Sequence, residues 1–194
     1  QGSGNVVERV IDKMKEWKQF CIKAHGDQKR KYTNDPYGLH LMSVVNILEV
    51  NGITDEILLY AAYGHDLLED TDKSALDIVS FLHNELGYDV VDTHIIINLI
   101  QELTDVYTKE NYPSFNRTKR KELEAYRLWS ISPEAQTIKY ADLIDNLKDI
   151  VPHDKGFARV YVQEKEFILK GMNKGDKFLY NLANAELESA KLLL

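Results

Sequence analysis

Residues 63–71 read YGHDLLEDT, and within them His65, Asp66, Glu69 and Asp70 put four metal-binding or proton-handling groups into six positions. Around them the chain is apolar: Ile57, Leu58, Leu59, Tyr60, Ala61 and Ala62 precede them, and Leu67 and Leu68 lie between. On a helix turning roughly 100° per residue, the four polar groups share one arc of about 140°. A helix apolar over the rest of its circumference is a buried one. A buried charge is neutralised, paired or bound to a metal. The bland alternative is a helix end that emerges into water. Two distant segments weigh against it. PYGLH puts His40 near a helix start, and KYADLIDNLKDI puts Asp142, Asp145, Asn146 and Asp149 at i, i+3, i+4 and i+7, a polar stripe on an otherwise apolar helix. One divalent cation would compensate all of these groups together.

The elements that must carry these residues read as helices almost throughout. Val6, Val7, Val10, Met14 and Trp17 recur at threes and fours and predict a first helix over about 5–25. A second is expected over about 38–50, ending at Asn51-Gly52. Thr54 is the expected N-cap of the charged helix, which should run to about residue 70. Ser74 and Asp77 form a capping box for the next helix, which Gly87 ends. A helix over about 88–103 follows, and then TDVYTKENYPSFN, a long polar stretch of the kind that serves as a lid or binding loop. Ser132-Pro133 opens a helix to about Ile150, and two more are expected over about 155–170 and 177–193. Gly64 should loosen the helix beside His65. The fold class is all-α, a bundle of about 7–10 helices.

A chain of 194 residues is expected to form one domain, spanning 5–194, with the opening QGSG set aside as an expression scar. A single cysteine, Cys21, forms no internal disulfide and suggests a reducing, cytoplasmic setting. No apolar run reaches the roughly 20 residues of a membrane span, so no membrane partner is expected. The net charge of -7 argues against a nucleic-acid partner. It leaves room for a small anionic ligand, because KRK at 29–31 and RTKRK at 117–121 are local basic clusters. The sequence does not fix an oligomeric state.

AHGDQKRKYTNDPYGLH, GHDLLEDT, ELTD, RTKRKEL and KYADLIDN, in this order, resemble the HD-domain hydrolases of the alarmone (p)ppGpp. The likeness is nearest to stand-alone small alarmone hydrolases of the Mesh1 type and to the hydrolase domain of RelA/SpoT enzymes. It runs from about Ala24 to Ile150. It implies His40, His65, Asp66 and Asp142 as metal ligands, with Mn²⁺ as the usual ion; the ligand types also suit Fe²⁺, Co²⁺ or Zn²⁺. It implies Glu69 and Asp70 as the pair that positions and deprotonates the attacking water. Arg30 would stack on the purine, Lys31 would meet phosphate, and Asn146 would hydrogen-bond the nucleotide. Lys139 and Arg120 or Lys121 are further candidates for phosphate. The activity implied is removal of the 3′-pyrophosphate of (p)ppGpp to give GDP or GTP.

Two departures from the family pattern bear on substrate choice. RKYTNDPY is one residue longer than the usual RKxGxPY and lacks its glycine, and Asn146-Leu147-Lys148 stands where NxR is common. Two rival readings therefore remain. One keeps the metal site but takes a nucleoside monophosphate or the 2′-phosphate of NADPH. The other is a non-catalytic nucleotide sensor or antitoxin-like protein, against which the Glu69-Asp70 pair speaks. His25 is open between a pocket and a packing role, whereas His83, His94 and His153 are expected at the surface, and Trp17 and Trp129 in the core.

Overall fold

A computed structural model describes residues 3–194. The first two residues of the segment set aside as a scar lie outside the described residues, and the first helix, α1 (Ser3–Ala24), already includes the other two. It is followed by α2 (Gly38–Val50), α3 (Glu56–Tyr63), the single turn α4 (Leu67–Asp70) and α5 (Ala75–Ser80), which runs on into a π-helical turn at Phe81–Glu85. Then come α6 (Val90–Leu103), α7 (Arg117–Trp129), α8 (Pro133–His153), α9 (Lys155–Gly171) and α10 (Lys177–Leu192). No strand occurs among the described residues, and one isolated antiparallel bridge joins Lys29 to Pro36. The all-α expectation holds. No helix among the described residues is long and apolar enough to cross a membrane.

The bundle is organised around α8, which packs against α2, α3, α6, α9 and α10. Ser132 accepts from the Ala135 N–H and Pro133 fills the first turn, as the sequence predicts. The interior of α8 is almost wholly buried, from Ala135 through Ile138, Ala141, Ile144 and Leu147 to Val151. Its polar interior residues are satisfied. Gln136, fully buried, donates to the Leu128, Trp129 and Ile131 carbonyls and accepts from the Lys174 N–H. Tyr140 donates to the Met172 carbonyl at 2.7 Å, fixing the turn before α10.

Several local expectations change. Val6, Val7 and Val10 are exposed, so the apolar stripe of α1 becomes core only at Trp17, whose Nε1 donates to the Tyr60 carbonyl at 2.9 Å. The cap of α3 is Asp55, not Thr54: its side chain accepts from the Leu58 N–H. The charged helix does not run through to residue 70. It stops at Tyr63, turns through Gly64, His65 and Asp66, and restarts at Leu67. Gly64, expected to loosen the helix, is where it ends, and its lack of a side chain also serves packing. A Cβ there would lie 2.9 Å from both Ile100 Cδ1 and Trp17 Cζ2, so the turn is pressed against α6 and α1. The capping box at Ser74 and Asp77 is present, and Gly87, at φ +75°, ends the following helix.

Candidate active site

The α3–α4 break puts two adjacent residues on the floor of one site. His65 and Asp66 are both buried there, as are His40 in the first turn of α2 and Asp142 midway along α8. His40 is carried in by the Pro36-Tyr37 turn, where its N–H bonds the Tyr37 carbonyl. Asp142 Oδ1 lies 3.0 Å from His40 Nε2 and 3.3 Å from His65 Nε2. Asp66 Oδ2 lies 2.9 Å from His65 Nε2 and 3.8 Å from His40 Nε2. Three chain segments thus converge on one point.

The two imidazoles are held in the same way. His65 Nδ1 sits 2.7 Å from the Ala62 carbonyl oxygen, and His40 Nδ1 sits 2.6 Å from Asp145 Oδ2. A ring that donates from Nδ1 offers its Nε2 lone pair to a cation. Both Nε2 atoms point at the carboxylates, and that of His65 is buried with no aligned hydrogen bond. Ligand atoms of His40, His65 and Asp142 all lie within 4.8 Å of one another, a set that can hold a metal ion. Two nitrogens and carboxylate oxygens suit a divalent first-row cation. The residues present fit the group.

Electrostatics carry the same message. Burial opposes charge on Asp66, yet the neighbouring His65 outweighs it and draws the carboxyl down to about 2. Burial likewise opposes charge on Asp142, but Lys139, His40 and His65 hold it well below the usual range. Burial disfavours the protonated forms of both imidazoles, and the carboxylates reverse this and raise them. The centre wants positive charge.

Glu69 and Asp70 stand at the rim, on α4, and both side chains reach solvent. A Glu69 oxygen accepts the Asp105 N–H. The surrounding protein, followed by the charges of Asp105 and Asp66, raises Glu69 to about 8, a shift that water at its open flank damps. Asp70 is raised too, by desolvation and then by Asp66, and it accepts from Gln28 Nε2 at 3.4 Å. His25 is buried beside the same corner, its Nδ1 2.8 Å from Gln28 Oε1.

The remaining candidates divide. Lys139 is not a surface charge: its Nζ bonds Asp142 Oδ2 at 2.8 Å. Asn146 donates to Asp142 Oδ1 at 3.2 Å and lines a cavity of about 280 Å³ with Lys31, Tyr32, Arg117, Phe157 and Tyr161. Arg30 is paired with Asp145 at 2.8 Å and Asp149 at 3.3 Å, and its Nη2 is buried without a hydrogen bond. Arg120 donates to the Phe115 carbonyl and so braces the 104–116 loop. That loop is pinned at its inner end: buried Glu124 accepts from the Val106 and Tyr107 N–H groups. A larger groove, about 580 Å³, opens beside Ile57, Ile95 and Ser132, and none of the site residues line it.

Sequence reading missed the roles of Asp145, Tyr37 and Asp105. Tyr37 donates to Asp66 Oδ2 at 2.5 Å, and Asp145 orients His40. The signal for Asp145 was present, since it lies one turn from Asp142 on the polar stripe. Asp105 closes the ELTD motif, but the motif alone does not show that its N–H bonds Glu69. The missing loop glycine is also explained: Asn34 adopts φ +61°, the left-handed conformation glycine would otherwise supply, and its N–H bonds the Arg30 carbonyl.

No family model matches the chain. It is 36% identical over 140 residues to a Drosophila melanogaster protein named guanosine-3′,5′-bis(diphosphate) 3′-pyrophosphohydrolase MESH1, covering 71% of this chain and 69% of that one. A Xenopus tropicalis protein of the same name is 32% identical, over 82% of this chain and 84% of its own. Among solved structures, one described as a metazoan ortholog of SpoT that hydrolyzes ppGpp matches with a TM-score of 0.75 at 28% identity, over 94% of this chain and 97% of that one.

Proposed function

The chain belongs to the MESH1 family of guanosine-3′,5′-bis(diphosphate) 3′-pyrophosphohydrolases, and from that premise we propose that it hydrolyses the 3′-diphosphate of (p)ppGpp to GDP or GTP and pyrophosphate. The observation that carries the reading is the convergence of His40, His65, Asp66 and Asp142 beside the Glu69-Asp70 rim. Those four side chains would hold a divalent cation, Mn²⁺ by family likeness. A cation there would neutralise phosphoryl charge and make a water more acidic.

The chain's own groups divide the rest of the work. Water attacks the 3′-phosphorus and the bond to the ribose 3′-oxygen breaks. Asp70 accepts the proton lost by the water. Glu69, whose carboxyl is raised by burial and by the charges of Asp105 and Asp66, returns one to the departing 3′-oxygen. Lys139 keeps Asp142 ionised through their 2.8 Å ion pair. Asn146 and Lys31 meet the nucleotide in the cavity beside Phe157 and Tyr161, where the aromatic faces suit a base. Arg30 offers its plane from the segment that joins α1 to α2.

The test is product analysis on Mn²⁺-loaded protein given ppGpp. GDP with pyrophosphate is the expected result, and no turnover would overturn the reading. Release of orthophosphate from a nucleoside monophosphate or from NADPH, with ppGpp untouched, would instead select the rival substrate class.

A further inference from the structure

Lys165, on α9, is 9% exposed, and its ammonium forms no ion pair or hydrogen bond among the described residues. It lies over the Tyr161 ring at 4.6 Å. The charged groups that face it are Lys139 and Asp142 from α8, Lys121 from α7, and Asp105 from the pinned loop. Asp142 is already shared among Lys139, His40 and Asn146. Burial, then Lys139 and Lys121, outweigh the carboxylates of Asp105 and Asp142 and lower Lys165 to about 7. A buried ammonium without a counter-ion is costly, and an arriving anion would remove that cost.

The register of α9 says where the anion would lie. Phe157, Tyr161 and Lys165 follow at i, i+4 and i+8 on one face. Phe157 and Tyr161 line the cavity that Asn146 joins to Asp142, and Lys165 continues the same stripe beside Lys139. The face thus runs from aromatic rings to a free cation, the order of base and phosphate in a nucleotide.

We propose that Lys165 binds the outer phosphoryl group of the diphosphate being removed, and so makes the site selective for a diphosphate over a monophosphate. The proposal rests on the alarmone-hydrolase reading, in which the inner phosphoryl group lies at the Asp142 cluster. Lys139 is committed to Asp142, leaving Lys165 as the buried ammonium free to take the outer one.

Steady-state kinetics of the Mn²⁺-loaded full chain test it, with Lys165→Met and Lys165→Arg beside the wild type. Lys165→Met should raise KM for ppGpp roughly 10- to 100-fold, the scale of one lost charge-assisted hydrogen bond. It should weaken inhibition by inorganic pyrophosphate as much, and change inhibition by orthophosphate by less than about threefold. Lys165→Arg should restore pyrophosphate inhibition to within a few-fold. Unchanged KM and pyrophosphate inhibition in Lys165→Met, with a wild type that turns over, would overturn this proposal alone. A wild type inert towards ppGpp would overturn the alarmone reading, and the pyrophosphate measurements would still read Lys165.

If Lys165→Met fails to fold, ¹³Cε-lysine NMR on the Zn²⁺-loaded wild type replaces it, with the resonance assigned by its loss in Lys165→Arg. The Lys165 titration midpoint should move upward when pyrophosphate is added. A midpoint that stays put would overturn the proposal.

Discussion

Asp145 Oδ2 lies 2.6 Å from His40 Nδ1 and 2.8 Å from Arg30 Nη1, so one carboxylate both orients the imidazole and holds the guanidinium. Carboxylates that orient ligand histidines typically contribute 10- to 100-fold to metal affinity. Asp145→Asn is expected to weaken Mn²⁺ binding on that scale, about 10- to 100-fold, while the helix content stays unchanged. Isothermal titration with Mn²⁺ measures it, and an unaltered affinity would mean that Asp145 serves Arg30 alone.

Removing a ligand should be more severe. Asp142→Asn and His65→Ala are each expected to abolish tight metal binding and turnover, because the remaining groups leave an incomplete set. Metal content after gel filtration is the readout. Stoichiometric metal in either variant would place the ion elsewhere.

The rim pair should separate chemistry from binding. Glu69→Gln and Asp70→Asn are each expected to lower kcat by about 10² to 10⁴ with little change in KM, the range for loss of a general acid or base. Metal content should hold at the wild-type value, since neither residue is among the four clustered side chains. A change confined to KM would assign the pair to substrate binding instead.

Protonation of the metal-free centre has a definite sign. His40 and His65 are raised in the folded protein above the unfolded value of about 6.5. Their contribution to stability is therefore complete below about pH 6.5 and is lost as pH rises through the raised folded values. Asp66 and Asp142, both lowered, contribute above their ordinary range and lose that contribution only in strong acid. The Tm of chelator-treated protein should fall as pH rises from neutrality, and saturating metal should suppress the fall, because the cation then takes the place of the protons. A metal-free Tm that is flat across this window would contradict the account.

Gly64 supplies a purely steric test. An added Cβ would meet Ile100 Cδ1 and Trp17 Cζ2 at 2.9 Å, inside a packed core. Gly64→Ala is expected to cost about 1–3 kcal/mol, or roughly 2–4 °C of Tm per kcal/mol for a chain of this length. Thermal denaturation by circular dichroism reads it directly.

Much of this arrangement could be read from residue order, for reasons that differ by element. Helix α8 declares itself through Ser132-Pro133, its apolar periodicity and its polar stripe, all of which are local signals. The convergence of His40, His65 and Asp142 was legible because buried charge on separate helices demands a common partner. The break at Gly64–Asp66 was legible only as a loosening at Gly64, since the close approach of Ile100 and Trp17 comes from distant helices. The contacts of Asp105 and Lys165 were hidden as well, although Asp105 falls in the ELTD motif. Each acquires its meaning from neighbours at least 20 positions away in the chain, Glu69 for one and Lys139 with Lys121 for the other.

The burial of α8 on nearly all sides also has a kinetic corollary. Segments so enclosed exchange their amide hydrogens only in the rarest, most global openings. Asp142 and Asp145 therefore ride on the part of the molecule that breathes least, whereas Glu69 and Asp70 ride on a four-residue turn at the solvent edge. Heating should therefore loosen the Glu69–Asp70 turn well before it loosens the segment that carries Asp142 and Asp145.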